Sequence, residues 1–195
     1  MPLNLFLPCL FIFCSFCSLN SYAQKSTAIG INFTFESTYG PLRPGIGATA
    51  ERQLTRHSGI ESGIYYRNHV YNQYLTFEGP PGSPAWPFTN ATLTISERLL
   101  SIPVLYKYYS RIVNASIGPT FDFYIGWRQK NSTPLLTVNE YNVDPNFSLG
   151  AMIKISKNIP VASRISIEPE LRYNVIFEFE REHVGFGVAA KYKLK

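Results

Sequence analysis

Beyond Gln24 the apolar positions of this chain recur with a period of two, and nothing carries the spacing of a helix of useful length. In Ile29-Gly30-Ile31-Asn32-Phe33-Thr34-Phe35-Glu36 the odd positions are apolar and the even ones small or polar. The alternation returns at Ala115, Ile117, Phe121, Phe123, Ile125 and Trp127, opposed by Asn114, Ser116, Gly118, Thr120, Asp122 and Arg128. It is clearest from Arg164 to Glu180, where Ile165, Ile167, Leu171, Tyr173, Val175, Phe177 and Phe179 face away from Arg164, Ser166, Glu168, Glu170, Arg172, Asn174 and Glu178. A last segment sets Val184, Phe186, Val188, Ala190, Tyr192 and Leu194 against Gly185, Gly187, Ala189, Lys191 and Lys193. Weaker strands fit 44–54, 58–76, 91–110 and 146–157, which brings the predicted total to eight.

The connections alternate in length. Thr55-Arg56-His57, Ser110-Arg111 and Lys157-Asn158-Ile159-Pro160 are short, whereas the segments near 77–90 and 129–144 are longer, and Glu78-Gly79-Pro80-Pro81-Gly82-Ser83-Pro84 forbids a regular strand. Short turns on the periplasmic side and long loops outside are the habit of membrane barrels. That habit places both termini in the periplasm and the outer loops near 38–43, 77–90, 129–144 and 180–182. Several segments also exceed the five or six residues usual in globular strands and reach the nine to eleven that cross a bilayer. The predicted fold is all-β: an eight-stranded antiparallel up-and-down transmembrane β-barrel, with a lipocalin-like soluble barrel as rival, since alternation alone does not say which face is inside.

The two faces differ in kind. One carries Glu51, Glu61, Arg67, Glu97, Lys107, Asp122, Lys154, Glu168, Glu170, Arg172 and Lys191, mixed in sign, which suits a narrow lumen filled by ion pairs. The other is rich in Ile, Val, Leu, Phe and Tyr with almost no mid-strand charge, as lipid contact demands. Glu168, Glu170 and Arg172 share one face of one strand, and two readings follow: a selective pore, or an ion-pair plug in which loss of Arg172 destabilises the barrel more than it alters transport.

Composition agrees with a membrane barrel. Aromatic residues make up 15% of the chain, with Tyr and Phe far ahead of Trp. The balance of +5 is scattered singly, which argues against a nucleic-acid stripe. Residues 1–23 hold no charge, run apolar from Leu3 to Phe13 and close on Ser21-Tyr22-Ala23, the pattern of a signal peptide cleaved after Ala23, leaving 24–195 as one barrel domain. All three cysteines, Cys9, Cys14 and Cys17, fall within that leader, so the mature chain is expected to build no disulfide or thiol site.

Leu99-Leu100-Ser101-Ile102-Pro103-Val104-Leu105-Tyr106-Lys107-Tyr108 resembles the "ipl-lKY" strand of the Bacteroidetes-type outer-membrane β-barrel proteins, the PorT-like "porin family". Ser116-Ile117-Gly118-Pro119-Thr120-Phe121 is similar to that family's Gly-Pro strand, and Ile165-Ser166-Ile167-Glu168-Pro169-Glu170-Leu171-Arg172-Tyr173-Asn174 to its penultimate strand. The resemblance implies a bacterial outer-membrane location, with lipid and the barrel-assembly machinery as partners, and Tyr192 near the place of the usual terminal aromatic. The loops 77–90 and 129–144 are the candidate contacts for an extracellular ligand or envelope protein.

Catalytic signals are sparse. The histidines are His57, in a turn, and His69 and His183, towards the outer ends of strands near the lipid headgroups, and no serine has a nucleophile's context. Glu180-Arg181-Glu182-His183 is the only dense group of metal-ligand type, and a solvated hairpin tip accounts for it. Asn90-Ala91-Thr92 and Asn114-Ala115-Ser116 match short glycosylation patterns that arise often by chance. The expectation is a non-enzymatic barrel without cofactor or metal, its rivals a narrow solute channel and a lipid-modifying enzyme.

Overall fold

The computed structural model describes residues 26–38, 40–77, 89–131, 146–178 and 181–194; the leader read at 1–23 and most of the two long loops lie outside these. The strands are β1 (Thr27–Ser37), β2 (Arg43–Gln53), β3 (Ser58–Phe77), β4 (Thr89–Tyr108), β5 (Asn114–Gln129), β6 (Phe147–Ser156), β7 (Ile159–Pro160), β8 (Ile165–Ile176) and β9 (Arg181–Lys193). Consecutive long strands pair antiparallel, β1 also pairs with β9, and β6 pairs with β8, so eight strands close into a ring. The two residues of β7 pair with Ile167 and Ser166 at the start of β8 and belong to the β6–β8 turn. Closure gives each of these eight strands two neighbours, which a chain in lipid requires because no water is there to answer a free sheet edge.

The alternation read from the sequence becomes an inside and an outside. Ile31, Phe33, Ile117, Ile153, Leu171 and Val188 point outward and are each 45 to 63% exposed, while Asn32, Thr120, Asp122, Lys154 and Glu168 point inward and are at most 2% exposed. So large an apolar surface on every strand would aggregate in water. It is the reverse of a lipocalin's arrangement and that of a transmembrane barrel. Aromatic rings collect at both ends of the outer face. Phe35 stacks on Phe186 and Phe147 packs on Phe121 and Phe123 at one end, and Tyr106, Tyr108 and Tyr192 lie at the other.

The end that holds both termini has tight turns built by hydroxyl groups. Thr55 Oγ1 accepts from the His57 and Ser58 amides, and Ser110 Oγ accepts from the Ile112 and Val113 amides. At the opposite end β3 and β4 run on past their neighbours. The last β5 partner is Gln129 opposite Ile95, yet 72–77 and 89–94 continue to pair with each other, a further six residues or about 20 Å of strand.

Three details depart from the sequence reading. Alternation breaks near the end of β5, where a bulge at Gly126, with φ of 149°, shifts the register against Arg98 and Leu99 of β4. Trp127 therefore lies opposite the lumen residue Glu97 and Arg128 is exposed, the opposite of the faces that unbroken alternation assigns them. The strand read from Arg164 to Glu180 ends at Ile176, because Glu178 turns back and its carboxylate accepts from the Leu149 amide at 3.0 Å. A bond from the Ser148 hydroxyl, then its own backbone amide and last the Leu149 amide hold the Glu178 carboxyl below its usual pKa. Finally, the lumen is not wholly polar, since Leu99, Leu105 and Met152 are at most 1% exposed within it.

Candidate functional site

The lumen gathers the chain's buried chemistry, and small residues make room for it. Lys107 lies opposite Gly59 and Ser116, Lys191 opposite Gly30 and Ser166, Glu168 opposite Ala189, and Glu170 opposite Gly187. On strands 4.7 to 4.9 Å apart a long side chain can cross the axis only where its neighbours on the same face are short. Gly47 makes room for an aromatic ring in the same way, because a Cβ there would sit 2.4 Å from the ring of Tyr65.

Towards the terminal end three lysines and three glutamates form one layer. Lys107 Nζ lies 2.8 Å from Glu51, 3.2 Å from Glu61 and 2.6 Å from Glu168, and Lys191 Nζ reaches the same three carboxylates. Lys154 pairs with Glu61 and lies 3.2 Å from Glu170. Tyr109 donates its hydroxyl to Glu51 and Ser156 to Glu168, each at 2.6 Å. Glu51, Glu61 and Glu168 have carboxylate oxygens close enough together to hold a divalent ion, but the two ammonium groups already bind all three. Lys107 is fully buried and Lys154 is 1% exposed, so the layer crosses the lumen as a plug of compensated charge.

A second layer lies above it. Arg172 pairs with Glu170 and with Glu36 at 3.2 Å, and its guanidinium lies 4.6 Å from the centre of the Tyr65 ring. Asn32 donates to Glu170 at 2.8 Å. Arg67 lies 3.1 Å from Glu36 and 3.7 Å from Asp122, which accepts a hydroxyl from Thr120. Of the eleven lumen residues named from the sequence, ten divide in two: Glu51, Glu61, Lys107, Lys154, Glu168 and Lys191 in the lower layer, Arg67, Asp122, Glu170 and Arg172 in the upper, with Lys154–Glu170 joining them, while Glu97 pairs with Arg181 beyond both.

The lumen residues singled out from the sequence did not include Glu36, Asn32, Tyr65 or Arg43, although the polar parity of β1 already marks Asn32 and Glu36, and Glu61 and Glu51 mark Tyr65 and Arg43. It also sent His69 and His183 towards the headgroups. They face inward instead, 8% and 4% exposed, with ring centres 5.9 Å apart, on the parity of Arg67 and Gly185. Their level is the loop-end mouth of the lumen, where Arg181 pairs with Glu97.

No family model matches the chain, and no curated protein does. Among solved structures it is similar to the outer membrane protein OprG from Pseudomonas aeruginosa, at 10% identity over 88% of this chain and 96% of that one, with a TM-score of 0.52. It is similar also to a major outer membrane protein from Thermus thermophilus, at 13% identity over 88% of this chain and the whole of that one, with a TM-score of 0.50. At such identities the likeness is one of fold: this chain has the architecture of the small outer-membrane β-barrels.

Proposed function

We propose that the chain is exported with removal of its leader, resides in a bacterial outer membrane with both termini in the periplasm, and serves there as a closed, non-enzymatic barrel. Its long outer loops, 77–90 and 129–144, are the parts offered to an extracellular ligand or envelope protein. The observation that carries this reading is the filled lumen. Two stacked layers of charge, anchored by Lys107, Lys154, Lys191, Arg67 and Arg172, leave each ion held by the next. A conducting pore needs a continuous aqueous path, and an eight-stranded interior has only enough width for its own side chains.

The apolar exterior with its two aromatic ends supports the membrane location, and the short turns at the terminal end support the orientation. The kinship with the PorT-like barrels rests on the strand motifs quoted above. Two measurements test the reading. The native outer-membrane fraction, run on a denaturing gel with and without boiling, is expected to contain the protein and to show a mobility shift. Recovery in the soluble periplasmic fraction without a shift would refute the location. Single-channel recording of the purified barrel in planar bilayers is expected to show no steps, and regular ohmic steps would replace the closed barrel with a narrow channel.

A further inference from the structure

At the loop end of the lumen, between Thr38, Pro41 and strands β1, β2, β3 and β9, lies a cavity of about 10 Å³, room for one water-sized group. Its walls include Thr38, Arg43, Arg67 and His183. The donors on these walls are unanswered. Arg67 is 3% exposed, with Nε 3.1 Å from Glu36 and Nη1 3.7 Å from Asp122, but its Nη2 has no partner. His183 is 4% exposed, with Nδ1 2.7 Å from the Thr38 hydroxyl and Nε2 without a partner. With the Thr38 hydroxyl donating its hydrogen bond to Nδ1, the tautomer that carries its proton on Nε2 makes that atom a donor. Arg43 faces inward at the rim with its Nε buried and unpartnered, and among the described residues no carboxylate pairs with it.

The acids nearby are occupied. Glu36 lines the cavity, yet one of its oxygens meets Arg172 and the other Arg67, while Glu97 is held by Arg181. A buried donor without an acceptor is costly, and three of them around one small cavity mark a missing acceptor that carries negative charge. We propose that this cavity is an anion site in which one oxygen of a carboxylate, sulfate or phosphate group is held by Arg43, Arg67 and His183. A cation on the two histidines is the opposing reading, and Arg43, Arg67 and Arg181 around the rings repel it. The cavity's exposure to the outside rests on the orientation proposed above, whereas its chemistry does not.

The test uses the full barrel refolded in detergent micelles, with inorganic phosphate as the probe and arginine Nε–H and histidine ring signals followed by NMR at constant ionic strength. Saturable shifts are expected at Arg43, Arg67 and His183. Arg43→Gln is expected to weaken phosphate binding about tenfold or more, the loss that follows removal of a charge-assisted hydrogen bond. Arg52→Gln, at the opposite end of β2, is expected to leave it unchanged, and heat-modifiability establishes that each variant is folded. Absence of a saturable shift, equal binding by Arg43→Gln, or a response of the His183 ring to zinc but not to phosphate would overturn the proposal. Each readout is independent of conductance, so the closed-barrel reading and the anion site can fail separately.

Discussion

The two ends of the lumen solve the same problem differently. At the terminal end every carboxylate of Glu51, Glu61 and Glu168 is answered by a lysine ammonium, and hydroxyl groups from Tyr109 and Ser156 add further bonds. At the loop end arginines and histidines replace lysines, and Arg67, His183 and Arg43 each keep an unused donor. A buried ion network adds stability only where it is complete, since one absent partner leaves a charge in low dielectric. The complete layer therefore reads as structure and the incomplete one as a place where something binds. Substitutions at the two ends should then differ in size and in kind.

The largest effect is expected from Glu61→Leu. Glu61 is 1% exposed and meets Lys107, Lys154 and Lys191, so its loss removes one partner from all three at once and leaves three ammonium groups to share Glu51, Glu168 and Glu170, the last already engaged by Arg172. A cost of about 3–5 kcal/mol is expected, the range for breaking a buried pair from one side. Urea unfolding of the refolded barrel, followed by tryptophan fluorescence, measures it. A loss below about 1 kcal/mol would mean that water reaches this layer and that the plug is open.

Arg172→Ala should cost less, about 2–3 kcal/mol, because Glu36 retains Arg67 and Glu170 retains Lys154. Part of that loss is packing, since the guanidinium covers the Tyr65 ring. Replacement by Lys separates the parts: it keeps the charge and loses the planar stack, so it should recover some but not all of the stability. Should Arg172→Ala unfold at the urea concentration of the wild-type barrel, the ion-pair account of the upper layer fails.

How much of this was legible in the sequence follows from what a period of two encodes. Parity along one strand separates Glu168, Glu170 and Arg172 from Ile167, Leu171 and Tyr173 without any knowledge of neighbours. It identifies neither which carboxylate meets which lysine nor why glycine and alanine recur on the polar face. Those depend on register, which puts Glu168 beside Ala189 and Lys191 beside Gly30, strands apart in the chain. Parity also fails wherever an extra residue enters. The bulge at Gly126 exchanges the faces of Trp127 and Arg128, and a glycine inside a strand is the one local sign of it. The inward histidines were within reach, because His69 is two residues from Arg67 on the same strand. Their burial was not, since it depends on Thr38, Pro41 and Arg43 lying beside them at the mouth, which spacing along the chain does not show.

A size test sits between the two layers. Gly47→Val places a branched side chain where even a Cβ lies 2.4 Å from the Tyr65 ring, and the ring must leave Arg172 to admit it. Overpacking of this kind is expected to cost about 1–3 kcal/mol. In a Tyr65→Ala background the same substitution should cost much less, and a double-mutant cycle over the pair reads the difference. Equal costs in both backgrounds would show that Gly47 is small for some other reason.

The smallest change is expected at Arg43, and its smallness is informative. Arg43 faces the same lumen as Glu51 from the same strand, yet no carboxylate among the described residues pairs with it. If the loop end were only a weaker version of the plug, removing this arginine would still disturb the charge balance around Glu36 and Glu97 and cost a measurable fraction of the barrel's stability. If instead its guanidinium waits for a ligand, Arg43→Gln should lie within about 0.5 kcal/mol of wild type in phosphate-free buffer, like a surface change away from any network. Adding phosphate should then separate the two proteins. A ligand that binds only the folded barrel raises its unfolding free energy by mass action, so wild type gains with concentration while Arg43→Gln gains little. The same titration on Glu61→Leu, whose damage lies in the other layer, should give a phosphate gain equal to that of wild type. That pairing of a stability loss without a binding loss, and a binding loss without a stability loss, is the outcome that separates plug from site.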